Sequence, residues 1–318
     1  MSIVAARRAL PSVLSRHGAA ERPTLALLGL CHAGWAGVTL GADAIGLWLA
    51  VPLSALLLTL HSSLQHEALH GHPFRDPRLN HAAVFLALGL AVPYLRFRDT
   101  HIAHHRDERL TDPYDDPESN FLDPAVWARL SRPWRAALNA NNTLAGRILL
   151  GPAIGLWRFW GEDARAVRRG DHAVARAWGL HALGAAPVLA WVAASPMPLW
   201  AYLLACYMAL SVLKVRTFLE HRAHERAEGR TVVIEDRGLL ALLFLNNNLH
   251  AMHHAEPSVP WSLLPARFAE RREAVLAGNG GYRYASYAEV FRRHFLRAKD
   301  PVPHPLWPRG PGPRQPGP

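Results

Sequence analysis

Residues 65–72 read QHEALHGH, three histidines and a glutamate in one short stretch. Imidazole is a common ligand for transition metals, and histidines spaced i, i+4 on a helix share a face. Taken alone, His66, Glu67 and His70 match HExxH, in which two histidines bind zinc and the glutamate acts as base. Three further groups call for something larger: HIAHH (His101, His104, His105), EHRAH (His221, His224) and HAMHH (His250, His253, His254). In HIAHH and HAMHH the first histidine can share a face with both members of the following pair, so each group should present its imidazoles to one point. A catalytic zinc needs about three protein ligands and an open position, which leaves two HxxHH groups unexplained. The eight best-placed histidines, with His221 as a ninth, are too many for one ion and suit two. Glu67 then becomes a supporting residue rather than a base. His72 and His224 are weaker candidates. His17, His32, His61, His81, His172, His181, His294 and His304 stand singly and read as ordinary core or surface histidines.

These groups need elements to position them. Four apolar runs, residues 24–42, 44–60, 177–194 and 197–213, contain no Lys, Arg, Asp or Glu. Each is close to the length of about 20 residues that spans a bilayer. Only Asp43 separates the first two and only SP the second two, so the runs pair as two transmembrane helical hairpins. The far-side turns lack Lys and Arg, and the basic residues lie in the N-terminal segment and the two large polar blocks. The positive-inside rule therefore puts the histidine groups and both termini on the cytoplasmic side. A shorter run at 82–95 carries Pro93 and reads as re-entrant or interfacial. Residues 125–140 and 155–169 mix Trp and Arg as interfacial helices do. The expected fold is an all-α integral membrane protein of the cytoplasmic membrane with a cytoplasmic helical cap carrying the histidines. It forms one domain over residues 1–300, followed by a disordered Pro/Gly-rich tail at 301–318.

Composition agrees with this outline. Half of the 318 residues are hydrophobic and 19% are charged, below the soluble norm of about 25%. The formal charge of +10, with its strong apolar runs, points to a membrane surface and acidic protein partners rather than nucleic acid. The N-terminus lacks a compact apolar stretch ending in small residues and reads as a retained cytoplasmic segment. Cys31 and Cys206 both sit inside apolar runs and read as core residues, too few for an iron–sulfur cluster.

With HxxxH at His66–His70 and HxxHH at His101–His105 and His250–His254, each placed after an apolar pair, the sequence resembles the membrane fatty acid desaturase superfamily. That superfamily also includes carotenoid ketolases and hydroxylases and alkane hydroxylases. The resemblance covers roughly residues 25 to 270. It implies a di-iron, O2-dependent oxidoreductase with ligands at His66, His70, His101, His104, His105, His250, His253 and His254. A further ligand between the second and third boxes corresponds here to His221. Imidazole suits iron, zinc and copper alike, so the choice of iron comes from the resemblance.

Several expectations follow. The first box has Glu67 where acyl-lipid desaturases often have Asp. Asn246, Asn247 or Asn248, just before the third box, could orient a ligand or hold a water. Glu67, Asp107, Glu108, Asp115, Asp116 and Glu220 could accept the outer N–H of a ligand, although most of residues 106–119 read as a solvated acidic loop. The chain shows no dinucleotide fingerprint, so electrons must come from a separate donor, ferredoxin-like or otherwise acidic. The expected reaction is desaturation of a membrane lipid or acyl chain. The alternatives are a ketolase or hydroxylase of a carotenoid or other hydrophobic substrate, a membrane zinc protease, and a non-enzymatic metal-binding protein.

Overall fold

In the computed structural model, which describes residues 20–105 and 107–307 apart from the Asp107 side chain, the four charge-free runs form the bodies of four long helices. Helix α1 (Arg22–Leu40) leads through a single helical turn, α2 (Ala42–Ile45), into α3 (Leu47–Leu69). The reversal into α3 uses Gly46 at φ 75°, where a Cβ would also lie 2.9 Å from the Trp48 ring. Then come α4 (Pro77–Ala83), α5 (Tyr94–His104), α6 (Pro124–Arg129), α7 (Arg132–Asn141) and α8 (Leu144–Arg168). Helices α9 (His172–Ala194) and α10 (Leu199–Thr217) follow. Asp171 starts α9 by accepting from the Ala173 and Val174 amides. Beyond α10 lie α11 (Leu239–Leu243), α12 (His250–Ala255), α13 (Leu264–Gly278) and α14 (Tyr287–His294). The strands β1 (Val233–Ile234) and β2 (Arg283–Tyr284) form one short parallel pair.

Helices α1, α3, α9 and α10 are long and apolar enough to cross a membrane. Two of them outrun the sequence reading at their C-terminal ends. Helix α3 continues past residue 60 to Leu69 and so carries the first histidine box itself. Helix α10 continues to Thr217, close to His221. The core lies where α3 packs against α10 and α1. There the Trp35 indole donates to the Tyr202 hydroxyl (2.9 Å), which donates to the Leu88 carbonyl (2.7 Å). Cys31 and Cys206 are buried, unpaired core residues.

The run at 82–95 is mostly irregular backbone between α4 and α5, with Leu90 at φ 58°. Irregular backbone among apolar helices survives only if protein groups satisfy its amides and carbonyls. Here the Gly184 carbonyl accepts from Ala87 N (3.2 Å), His181 bonds the Leu90 carbonyl (2.9 Å) and Trp160 donates to Ala91 O (2.9 Å). A Cβ at Gly184 would lie 2.3 Å from the Phe85 carbonyl oxygen, so only glycine allows this approach.

The segments read as interfacial are α6, α7 and the C-terminal half of α8. Helix α7 buries none of its residues, and Trp134, Trp157 and Trp160 are exposed. The tail departs from the composition-based reading at its start. Residues 301–307 are held by bonds from Leu122 N to Val302 O and from His304 N to Leu122 O, and His304 pairs with Thr111. Residues 308–318 and the N-terminal segment 1–19 lie outside the described residues.

Helix α5 is fixed by a buried ion pair. Arg96 grips both carboxylate oxygens of Asp163 on α8 (2.8–3.0 Å), and Trp178 on α9 donates to the same carboxylate (2.8 Å). Asp163 is 1% exposed, so losing it strands a largely buried cation. Asp163→Ala is expected to lower stability by about 3 kcal/mol. Trp178→Phe, which loses one hydrogen bond, should cost about 1 kcal/mol. Unfolding curves of the detergent-solubilised protein check both, and equal small effects would show that the pair does not anchor α5.

Candidate metal centre

Four elements end at one place. His66 lies on the last turn of α3, with His70 just past its end. His101 and His104 lie on the last turn of α5, with His105 capping it. Box three occupies α12, and His221 follows the end of α10. Hydrogen bonds from Ala251 N to Val232 O and from Ile234 N to Asn248 O tie α12 to the β1 segment. An antiparallel bridge to Thr231 holds the His221 backbone.

All nine histidines converge, but in two groups rather than box by box. One group holds His66, His70, His101, His105 and His253, and the other holds His104, His221, His250 and His254. Within each group, one potential ligand atom per residue lies within 4.8 Å of all the others. The boxes therefore do not each point at one centre, as the spacing suggested. Successive residues on a helix are about 100° apart, so the adjacent histidines of an HxxHH box diverge. His101 and His105 serve the first group and His104 the second, whereas His250 and His254 serve the second and His253 the first. The two boxes are reciprocal.

Hydrogen bonding fixes the direction of several lone pairs. A carboxylate can only accept, so His101 Nδ1 donates to Glu118 Oε1 (3.0 Å) and His104 Nδ1 to Asp116 Oδ1 (2.8 Å). His250 Nδ1 bonds the Asn247 side-chain oxygen (2.9 Å). These bonds turn the Nε2 atoms of the three rings toward the neighbouring histidines. His101 Nε2 lies 3.0 Å from His66 Nε2 and 2.9 Å from His105 Nε2. His221 Nε2 lies 2.8 Å from His104 Nε2 and 3.1 Å from His250 Nε2. Two nitrogens at about 2.1 Å from one ion, at right angles, stand about 3.0 Å apart. The donor set fits metal ions, and His70 Nε2, buried without a hydrogen-bond partner among the described residues, fits with it.

Charge agrees with geometry. Burial, and then the neighbouring histidines, hold His70, His105, His221, His250, His253 and His254 well below the usual imidazole range, in the neutral form a ligand requires. Burial opposes protonation of His104 too, but Glu118 and Asp116 outweigh it and lift its pKa to about 9. Burial works against ionisation of Glu118, yet His101 and His104 hold it well below the usual carboxylate range. The site favours positive charge beside these two acids.

The supporting shell differs from expectation in its members. Asp116 and Asn247 do orient histidines, and Asp116 is itself locked by the Thr111 and Glu118 amides. Glu118, inside the loop read as mostly solvated, supports His101, and only the density of acids after box two could have signalled it. Glu67 does not bond a box histidine: its Oε1 is 3.9 Å from His66 Nδ1, and Oε2 accepts from Trp261 N (3.1 Å). That is not the posture of an HExxH base. Glu220 lies 3.8 Å from His250 Nδ1 but pairs with Arg216 (3.0 Å). Asn246 and Asn248 bond backbone carbonyls, Glu108 and Asp115 are exposed, and the Asp107 side chain lies outside the described residues. His72 bonds Glu21 (2.7 Å) and His224 bonds Arg226 O, so neither joins a group. His17 lies outside the described residues, and the other singly placed histidines stand outside both groups.

A cavity of 510 Å³ reaches the centre. Leu58, Ala209, Leu210 and Leu213, from two of the apolar helices, line part of it. Asp116, Glu118 and His221 line the part beside the histidines. No curated protein sequence matches the chain. The family model described as fatty acid desaturase matches residues 42–286, which take in every histidine of both groups. The chain belongs to the fatty acid desaturase family.

Proposed function

We propose that the protein is a di-iron, membrane-bound desaturase that introduces a double bond into a fatty acyl or lipid chain, using O2 and electrons from a separate acidic donor. One observation carries the reading: two histidine groups, five and four strong, meet at the end of the apolar helices beside a cavity with an apolar wall. His66, His70, His101, His105 and His253 would hold one iron, and His104, His221, His250 and His254 the other. When bound, the pair supplies the reduction of dioxygen and the oxidising power to remove hydrogen from an unactivated carbon. The balance is simple: the chain loses two hydrogens, the donor gives two electrons, and with two protons dioxygen becomes two waters.

The chain's own residues position and protect this chemistry. Glu118, Asp116 and Asn247 hold the outer nitrogens of His101, His104 and His250, fixing ring orientation and leaving Nε2 where it would bind a metal. Leu58, Leu210 and Leu213 offer an apolar wall along which an acyl chain can lie without water. Two membrane hairpins with the boxes and both termini cytoplasmic would present the centre to a soluble donor. This topology is supported by the turns at 41–46 and 195–198, which contain no Lys or Arg. The charge of +10 supports an acidic donor.

His253→Ala and His104→Ala, one from each group, should each remove iron and abolish turnover, whereas His224→Ala should retain most of both. Metal analysis with an oxygen-consumption assay checks this, and full activity in either box variant would refute the assignment. Glu118→Gln should lower activity or metal affinity about ten- to a hundred-fold, while Glu67→Gln should have a smaller effect. Loss of all activity in Glu67→Gln with His253→Ala intact would instead support a hydrolase. Lipid profiles of a host with and without the gene identify the product: a new double bond is expected, and an oxygenated product would make the enzyme a hydroxylase or ketolase.

A further inference from the structure

The same cavity holds a charge imbalance that the metal centre does not use. Four cations on its wall have acidic partners, Arg96 with Asp163, Arg158 with Glu162, Arg216 with Glu220 and Lys299 with Asp300, and Glu118 is committed to His101. Two further wall residues, Arg147 and Lys214, form no ion pair among the described residues, although Glu118 and Glu220 favour the Lys214 charge from a distance. Arg147 is 4% exposed, and among the described residues its guanidinium meets the Asn141 carbonyl (2.9 Å), the Asn120 side-chain oxygen and the Phe218 ring. Burial alone lowers its pKa to about 10, since no acid offsets the lost hydration. A buried cation without a counter-ion is costly, and an anion brought into the cavity removes that cost.

The two side chains are also brought together. A Cβ at Gly151 would lie 3.0 Å from Arg147 Cδ and 3.3 Å from Lys214 Cγ, and a Cβ at Gly155 would lie 3.4 Å from Lys214 Nζ. The i, i+4 glycines of α8 thus leave a groove for the lysine stem, which sets its ammonium beside the cavity. Asn141 lines the same space, and its Oδ1 is buried without a hydrogen-bond partner among the described residues. Its amide can turn to offer N–H instead. Lys214 precedes His221 by seven residues, roughly 10 Å at helical rise. Apolar Leu58, Leu210 and Leu213 share the wall.

We propose that Lys214 and Arg147, with Asn141, form an anion subsite inside this cavity, so that the substrate is an amphiphile whose carboxylate or phosphate is held there while its apolar chain lies against α3 and α10. This rests on the reading of the cavity as the substrate chamber. It separates an acid or anionic lipid from a neutral carotenoid or alkane. Charge on the ligand is recognised by Lys214 and Arg147 in water-poor surroundings, where charge-assisted hydrogen bonds are strong.

The test uses the full iron-loaded chain in a neutral detergent, with the fluorescent polyene cis-parinaric acid and its methyl ester as probes. The acid should bind at least about ten-fold more tightly than the ester, as expected for a hydrogen bond to a charged group. Lys214→Met, or Arg147→Met if the first does not fold, should remove most of that preference and leave ester binding unchanged. Competition by oleate or by dioleoyl phosphatidate, compared at equal concentration, assigns the anion to a carboxylate or a phosphate. Equal binding of acid and ester overturns the proposal, as does an acid preference that survives both substitutions. Iron content and product formation, not the acid-to-ester ratio, test the reading on which it rests.

Discussion

The interaction on which the rest depends is the close approach of buried imidazole nitrogens carried by separate elements. With Glu118 and Asp116 accepting from His101 and His104 Nδ1, and Asn247 bonded to His250 Nδ1, the Nε2 atoms of these rings face neighbouring Nε2 atoms at separations of 2.8–3.1 Å. A single proton can join two such nitrogens, whereas a cation can engage all the nitrogens of a group at once. Nine histidines in one buried volume would otherwise carry a large desolvation cost with little return. The fold is a scaffold that holds these imidazoles together and supplies carboxylates around their outer rim.

That requirement explains the helix boundaries. Helices α3 and α10 overrun their apolar runs because their last turns must carry, or lead into, His66 and His221. Helix α5 is short and packs on α3 and α9. Its direction is set by Arg96 on the buried carboxylate of Asp163. The irregular stretch before it lies among apolar helices at the cost of borrowed hydrogen bonds from Tyr202, His181 and Trp160. Irregular backbone of this kind belongs beside a cavity or a site rather than against lipid. The cavity lies there, lined by Ala87, Leu90 and Ala91 from that stretch.

Features encoded by local spacing were legible in the sequence. Charge-free runs mark the four long helices because lipid-facing and core-facing positions both exclude charge. Box spacing marks the histidines because helical periodicity is a local property. The division of each HxxHH box between two centres was not legible, since it depends on where the facing helix lies. The role of Glu118 was hidden for a related reason: an acid in an acidic loop looks solvated until His101 is placed against it. Glu67 differs in the opposite sense: it adjoins His66 in sequence and so reads as a support for a box histidine, whereas its bond to Trp261 N comes from 194 residues away. At the tail, composition argued for disorder, but Val302 and His304 find partners at Leu122 and Thr111.

The central claim is that two neighbouring cations, each held by imidazole nitrogens, complete this structure. X-ray absorption at the iron edge of the purified protein, joined to metal quantitation, tests it most directly. The account predicts two irons per chain, each in a shell of nitrogen donors near 2.1 Å, with a second metal in the outer shell. A single metal per chain, or a shell dominated by carboxylate oxygen or sulfur, would contradict it.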